Sequence, residues 1–245
     1  MPATCRGIKM DDNKILWHPG FVAAMNLELS ENRNDLIFER EYNLNTKPLE
    51  VDLLVIKKNT EVLVDNEIGR LFKGHNILEY KSPGDHLNID TFYKVQSYAG
   101  LYKSYGKKVD QIKAEDVTVS LLRNEKPEGL FRYFKEHGYV VIVPYHGIYY
   151  VKGPVLFSTQ LIVTGELDKK AHIWLGALSE ELKKADMKVL LENMMRLSNK
   201  ADREFADAVF EVSTQANRQV IEELIGDGSM SEALLELMEP IIAPI

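Results

Sequence analysis

Residues 49–57, LEVDLLVIK, form a nearly continuous apolar run with one carboxylate, Asp52, in its middle. Such a run reads as a buried strand. A carboxylate inside it is costly unless it is paired, hydrogen-bonded or bound to a metal. Any fold for this chain must therefore give Asp52 a partner.

The elements around that run set the fold class. Residues 17–32 predict a helix, with Pro19 in its first turn and Phe21, Ala24, Met25 and Glu28 on one face. Residues 36–44 alternate with period two and predict a strand, and 76–81, NILEYK, predict a third strand. The stretch between 57 and Gly74 is consistent with either an extended hairpin or a short helix. Ser82-Pro83-Gly84-Asp85 stops the third strand, and 89–105 predict a helix carrying Phe92, Val95, Ala99 and Tyr102 on one face. A strand at 117–122, a short helix at 127–137, a hairpin turning near His146-Gly147 and a strand at 155–163 follow. From Leu167 the pattern is helical, with a long helix from about 186 to 225 and a last short one near 231–239, separated by Gly226, Asp227 and Gly228. The expected class is α/β, a mixed sheet followed by a helical C-terminal region, with a division at 1–165 and 166–245.

Composition narrows the setting. Cys5 is the single cysteine, so no intramolecular disulfide forms, and a reducing, cytoplasmic location is expected. The N-terminus has no apolar run of signal-peptide length, and no segment reaches the roughly 20 apolar residues of a membrane span. The net charge of −7 is unevenly spread. Residues 1–150 hold 20 Lys/Arg against 21 Asp/Glu, and 151–245 hold 10 against 16. The first part is thus near neutral and carries local basic clusters at Lys57-Lys58, Arg70 with Lys73, and Lys103 with Lys107-Lys108. These either touch phosphates or are solvated surface.

The chemistry concentrates on two strands. Glu79 and Lys81 are two apart, so they share a strand face, while Leu78 and Tyr80 take the other. If the strands are neighbours, Asp52 and Glu79 converge. Two carboxylates repel unless a cation lies between them, and oxygen ligands favour Mg²⁺ or Mn²⁺. Lys81 there orients water or offsets phosphate charge. The plainer reading leaves Glu79 and Lys81 as a surface pair and Asp52 on an edge strand. His18 reads as a cap or packing residue. Tyr139, Tyr145, Tyr149 and Tyr150 read as hairpin packing, Met194-Met195 as a helix interface, and Glu39 and Glu41 as the exposed face of the first strand.

The order helix, strand, strand with Asp52, strand with Glu79-Tyr80-Lys81, helix, strand resembles the PD-(D/E)XK nuclease superfamily over roughly residues 17–125. The resemblance implies a restriction-endonuclease-like αβββαβ core. It implies a catalytic Mg²⁺, with Mn²⁺ as a substitute, held by Asp52, Glu79 and the Tyr80 carbonyl, and Lys81 positioning water. Glu28 occupies the place of a helix glutamate that many members add to the site; on its own it also reads as a helix-end residue in solvent. RecB-like branches carry Gln-x-x-x-Tyr on the following helix. Here Tyr98 fits, Lys94 stands where glutamine is usual, and Gln96 is displaced by two. Lys94 and Tyr98 share a helix face and either contact substrate phosphate or border the packing face. Val51 replaces the proline before the strand acid. The stretch EYKSPGD with the helix after it is similar to bacterial Rpn and transposase-associated nucleases. The implied partner is nucleic acid, DNA first, with no membrane and a homodimer through the C-terminal helices. The alternative is a nuclease-fold module that binds nucleic acid or protein without cutting.

Overall fold

The computed structural model describes residues 15–44 and 50–226. A mixed sheet of seven strands is covered by helices. Helix α1 (Trp17–Glu28) leads into the antiparallel pair β1 (Leu36–Asn43) and β2 (Glu50–Lys57), and β3 (His75–Lys81) pairs antiparallel with β2. Helix α2 (Ile89–Ser104) then crosses over to β4 (Val117–Arg123), which runs parallel to β3. After α3 (Glu128–Glu136) come β5 (Val140–Tyr145), β6 (Ile148–Lys152) and β7 (Ser158–Val163). β7 returns to lie parallel beside β4, so the order across the sheet is β1-β2-β3-β4-β7-β6-β5. The chain finishes, within the described residues, with α4 (Ile173–Gly176), α5 (Lys184–Arg196), α6 (Lys200–Ala216) and α7 (Arg218–Gly226).

Side-chain alternation sends apolar residues to two cores, one on each face. Leu53, Val55, Leu78 and Tyr80 join Phe21 and Met25 of α1 and the apolar faces of α4 to α7. Leu54, Ile77, Val119 and Leu121 join Phe92, Val95, Tyr98 and Ala99 of α2 and Phe134 of α3. The C-terminal helices therefore share their core with α1 and the sheet. The closest helix packing is α1 on α6, where Gly20 lets Val212 approach.

The predicted long helix over 186–225 is instead three helices. Asn199 caps α6 through its side chain, which accepts from Ala201 N at 2.8 Å. Asn217 ends α6: its Oδ1 accepts from Leu182 N at 2.9 Å and its Nδ2 donates to Ser179 O at 2.7 Å. The undecided stretch after 57 contains a short 3-10 turn, Glu67–Leu71, capped by Asn66. It is tied down by Gln160, whose Nε2 donates to Ile68 O at 2.9 Å. Cys5 and the helix expected near 231–239 lie outside the described residues.

Candidate metal and phosphate site

Asp52 sits where β2 loses its neighbours. In the β1–β2 register Arg40 pairs with Leu53 and Tyr42 with Val51, but Glu41 and Asp52 do not pair. Glu41 has φ +46, a left-handed conformation that costs a residue with a Cβ on the order of 1 kcal/mol. On the other side, the β2–β3 ladder ends at Leu53↔Leu78, although both strands continue. The Asp52 side chain enters the gap, and its Oδ2 accepts from Tyr80 N at 2.8 Å. That bond satisfies an amide which the ended ladder leaves without a strand partner.

Glu79 and Lys81 flank Tyr80. Lys81 Nζ donates to Glu79 Oε1 at 2.8 Å, and the pair is largely buried, with side chains 18% and 5% exposed. Glu79 Oε2 is buried with no hydrogen-bond partner. Burial and then the Glu79 charge push the Asp52 carboxyl up to about 6. The Tyr80 amide, His18 and Lys81 hold it back. Burial pulls the Lys81 ammonium down, but Glu79 and then Asp52 outweigh it and keep it above its ordinary value. Asp52, Glu79 and Lys81 thus act on one another as a single electrostatic group. Beneath them the Tyr80 ring is fully buried and stacked on Phe21 at 4.8 Å.

His18, expected as a cap or packing residue, stands beside this group. It lies in the first turn of α1, with Nε2 3.7 Å from Asp52 Oδ2 and its ring edge-on to Tyr80 at 5.9 Å. A cleft of about 470 Å³ opens on Asp52 between α1 and the β1–β2 hairpin, with Arg40, Glu41 and Glu50 in its wall. The only sequence signal for His18 was its place on the helix that packs over the Asp52 strand.

The remaining predicted residues fall elsewhere. Glu28 does not reach Asp52. It stands at the far end of α1 from His18, roughly 15 Å along a helix that rises 1.5 Å per residue. There Oε2 accepts from His172 Nδ1 at 2.8 Å and Oε1 from Leu175 N at 3.3 Å. The other His172 nitrogen faces Glu67 at 3.3 Å. Gln96, expected to contact substrate, turns inward: it is buried, and its Nε2 donates to Thr159 Oγ1 at 2.9 Å. Tyr98 is buried in the α2-side core, and the exposed Lys94 places its ammonium 5.4 Å from that ring centre. Each basic cluster has a member engaged locally, Arg70 with Asp65 at 3.5 Å among them. Lys57 donates to Thr60 O, Lys58 to Asn34 O, and Lys103 to Asp110.

The donor set suits a hard divalent cation. The orphaned Glu79 Oε2 is an acceptor whose burial costs about 1–3 kcal/mol unless something satisfies it. Mg²⁺ keeps several waters and is commonly held by one or two carboxylates. Among the described residues, no three His, Cys, Asp or Glu side chains converge as a metal-binding group. No described helix is long and apolar enough to cross a membrane. No family model matches the chain, and comparisons with curated proteins and with solved structures return no match.

Proposed function

We propose that this chain is a metal-dependent nuclease of the PD-(D/E)XK kind, hydrolysing phosphodiester bonds in DNA. The observation that carries the reading is the Asp52–Tyr80 hydrogen bond at the parting of β2 and β3. It draws the strand acid against the Glu79-Tyr80-Lys81 triplet, where one buried Glu79 oxygen has no hydrogen-bond partner. The element order α1-β1-β2-β3-α2-β4 supports the same assignment.

Asp52 and Glu79, with the Tyr80 carbonyl, would hold Mg²⁺ or Mn²⁺. A bound divalent cation polarises a phosphoryl oxygen and makes its water a stronger acid. Lys81 stays protonated at neutral pH because both carboxylates raise it, so it acts as a cation and hydrogen-bond donor. It orients the attacking water or offsets phosphate charge. Asp52 titrates near 6, so protons and cations compete for it in mildly acidic solution. Glu28 has no part in this scheme, since its carboxylate is committed to His172.

A second reading, a nuclease fold that binds nucleic acid or protein without cutting, draws support from the closed Lys81–Glu79 pair and from the engagement of Glu28 elsewhere. Calorimetric titration with Mn²⁺ separates the two. Binding to the wild type and its loss in Glu79→Gln supports the enzyme. Absence of binding in both proteins supports the module. Cleavage of plasmid, linear duplex and single-stranded DNA under Mg²⁺ and Mn²⁺ then identifies the substrate form.

A further inference from the structure

Strands β3 and β4 end side by side, with Lys81 opposite Arg123 in parallel register. From there one chain segment leads to the start of α2 and the other to the start of α3. Between those starts lies a pocket of about 400 Å³, lined by His86, Asn88, Arg123, Lys126, Glu128 and Tyr133 among others. Its formal charges are Arg123 and Lys126 against Glu128. The cleft on the other side, by contrast, sets Arg40 against Glu41, Glu50 and Asp52. In a chain of net charge −7, this concavity one strand from Lys81 sets two cations near Glu125, Glu128 and Glu166, a smaller acidic excess than in the Asp52 cleft.

Both cations are positioned by their surroundings. Arg123 Nε donates to Asp85 O at 3.1 Å, and the side chain is only 11% exposed. Its Nη2 donates to the Glu125 carboxylate, 69% exposed, at 3.3 Å, and its Nη1 donates to the Glu125 backbone O at 3.4 Å. An ion pair with so exposed a partner holds weakly and exchanges readily. Lys126 sets its ammonium over the rings of Phe131 and Tyr149 at 5.0 and 4.9 Å, with Glu166 at 4.0 Å. Ring faces attract a cation without neutralising it. The first amides of α2 also face this end, where Asn88 caps Thr91 N at 3.0 Å.

We infer that this pocket binds a phosphodiester group of the nucleic-acid strand, next along from the one that reaches Lys81. The inference rests on the nuclease reading. The two cations and the start of α2 form the phosphate contact, while the Glu125 side chain swings aside.

The test is fluorescence anisotropy of fluorescein-labelled single-stranded DNA in EDTA, over a salt series, so that binding is read without cutting. Arg123→Gln and Lys126→Gln should each weaken binding and flatten the log K against log salt slope by about 0.7, the value for one lost single-strand phosphate contact. Lys200→Gln, on a side chain 91% exposed at the start of α6, should leave the slope unchanged. Arg123→Lys should keep most of it. Thermal melts check folding, and Lys126→Gln carries the test if Arg123→Gln does not fold. Wild-type slopes in both Gln variants, or no binding by the wild type, overturn the inference. A 5′-mononucleotide that binds through Arg123 while the strand slope stays fixed also overturns it, in favour of a free-nucleotide pocket. Cleavage is scored separately. Cutting with unaltered slopes removes the subsite and spares the nuclease; altered slopes without cutting do the reverse.

Discussion

A carboxylate in an apolar strand needs a partner, and Asp52 finds one in the Tyr80 amide. That much follows from residue chemistry, and the Glu79/Lys81 spacing was readable in the same way. Glu28 and His18 were not. Helical periodicity says which face a residue takes, but not which end of the helix meets which neighbour. His172, 144 positions away, claims Glu28. The His172 ring is held between Glu28 and Glu67. Burial lowers its pKa, but the bonds and charges of the two carboxylates outweigh burial and leave it raised. A raised folded pKa stabilises fully below the unfolded value, about 6.5, and this contribution fades as pH rises through the folded value. His172→Gln should therefore lower the melting temperature more at about pH 6 than at about pH 9, by a few degrees for a chain of this size. Equal losses at both pH values would show that the imidazole charge is irrelevant to folding.

At the scale of elements, α1 is the hinge of the architecture. Its N-terminal turn brings His18 to Asp52, and the turn after packs on α6. A Cβ on Gly20 would stand 2.9 Å from Val212 Cγ2 and 3.3 Å from Leu178 Cδ2. Gly20→Val should cost about 1–3 kcal/mol through overpacking. Gly100 in α2 has nothing within 4 Å of an added Cβ, so Gly100→Ala should stabilise by up to about 1 kcal/mol. Urea unfolding of the two variants checks both signs, and a neutral Gly20→Val would mean that α1 and α6 are not closely packed. The strands were legible because alternation and turn residues are local signals. The breaks around 197–199 and at Asn217 were harder. Asn199 acts locally as a cap, but Asn217 stops its helix by bonding to Ser179 and Leu182, which no window around 217 contains.

For the whole molecule, the helical region completes the core. Phe21, Met25, Leu78 and Tyr80 share one apolar cluster with Leu191, Val209, Phe210 and Leu224. A chain ending at residue 166 would expose that cluster to water, at about 25 cal/mol per Å² of apolar surface. It should be insoluble or unfolded by circular dichroism. A cooperatively melting fragment would show instead that the sheet and its helices α1 to α3 stand alone. The mixed α/β order was visible from the sequence because each element carries its own pattern. The sharing of one core between α1 and the C-terminal helices was not, since it depends on long-range packing.

A nuclease of this kind needs Asp52 and Lys81 to act together on a phosphodiester. Purified wild type, Asp52→Ala and Lys81→Ala should be compared for Mg²⁺-dependent cleavage of DNA, with matched circular dichroism spectra and melting curves. The expected result is cutting by the wild type, its loss in EDTA, and at least a hundredfold (~10²) lower rate in each folded variant, as removal of a group that stabilises transition-state charge produces. Cutting at the wild-type rate by both variants, or no cutting by the wild type with either Mg²⁺ or Mn²⁺, would contradict it.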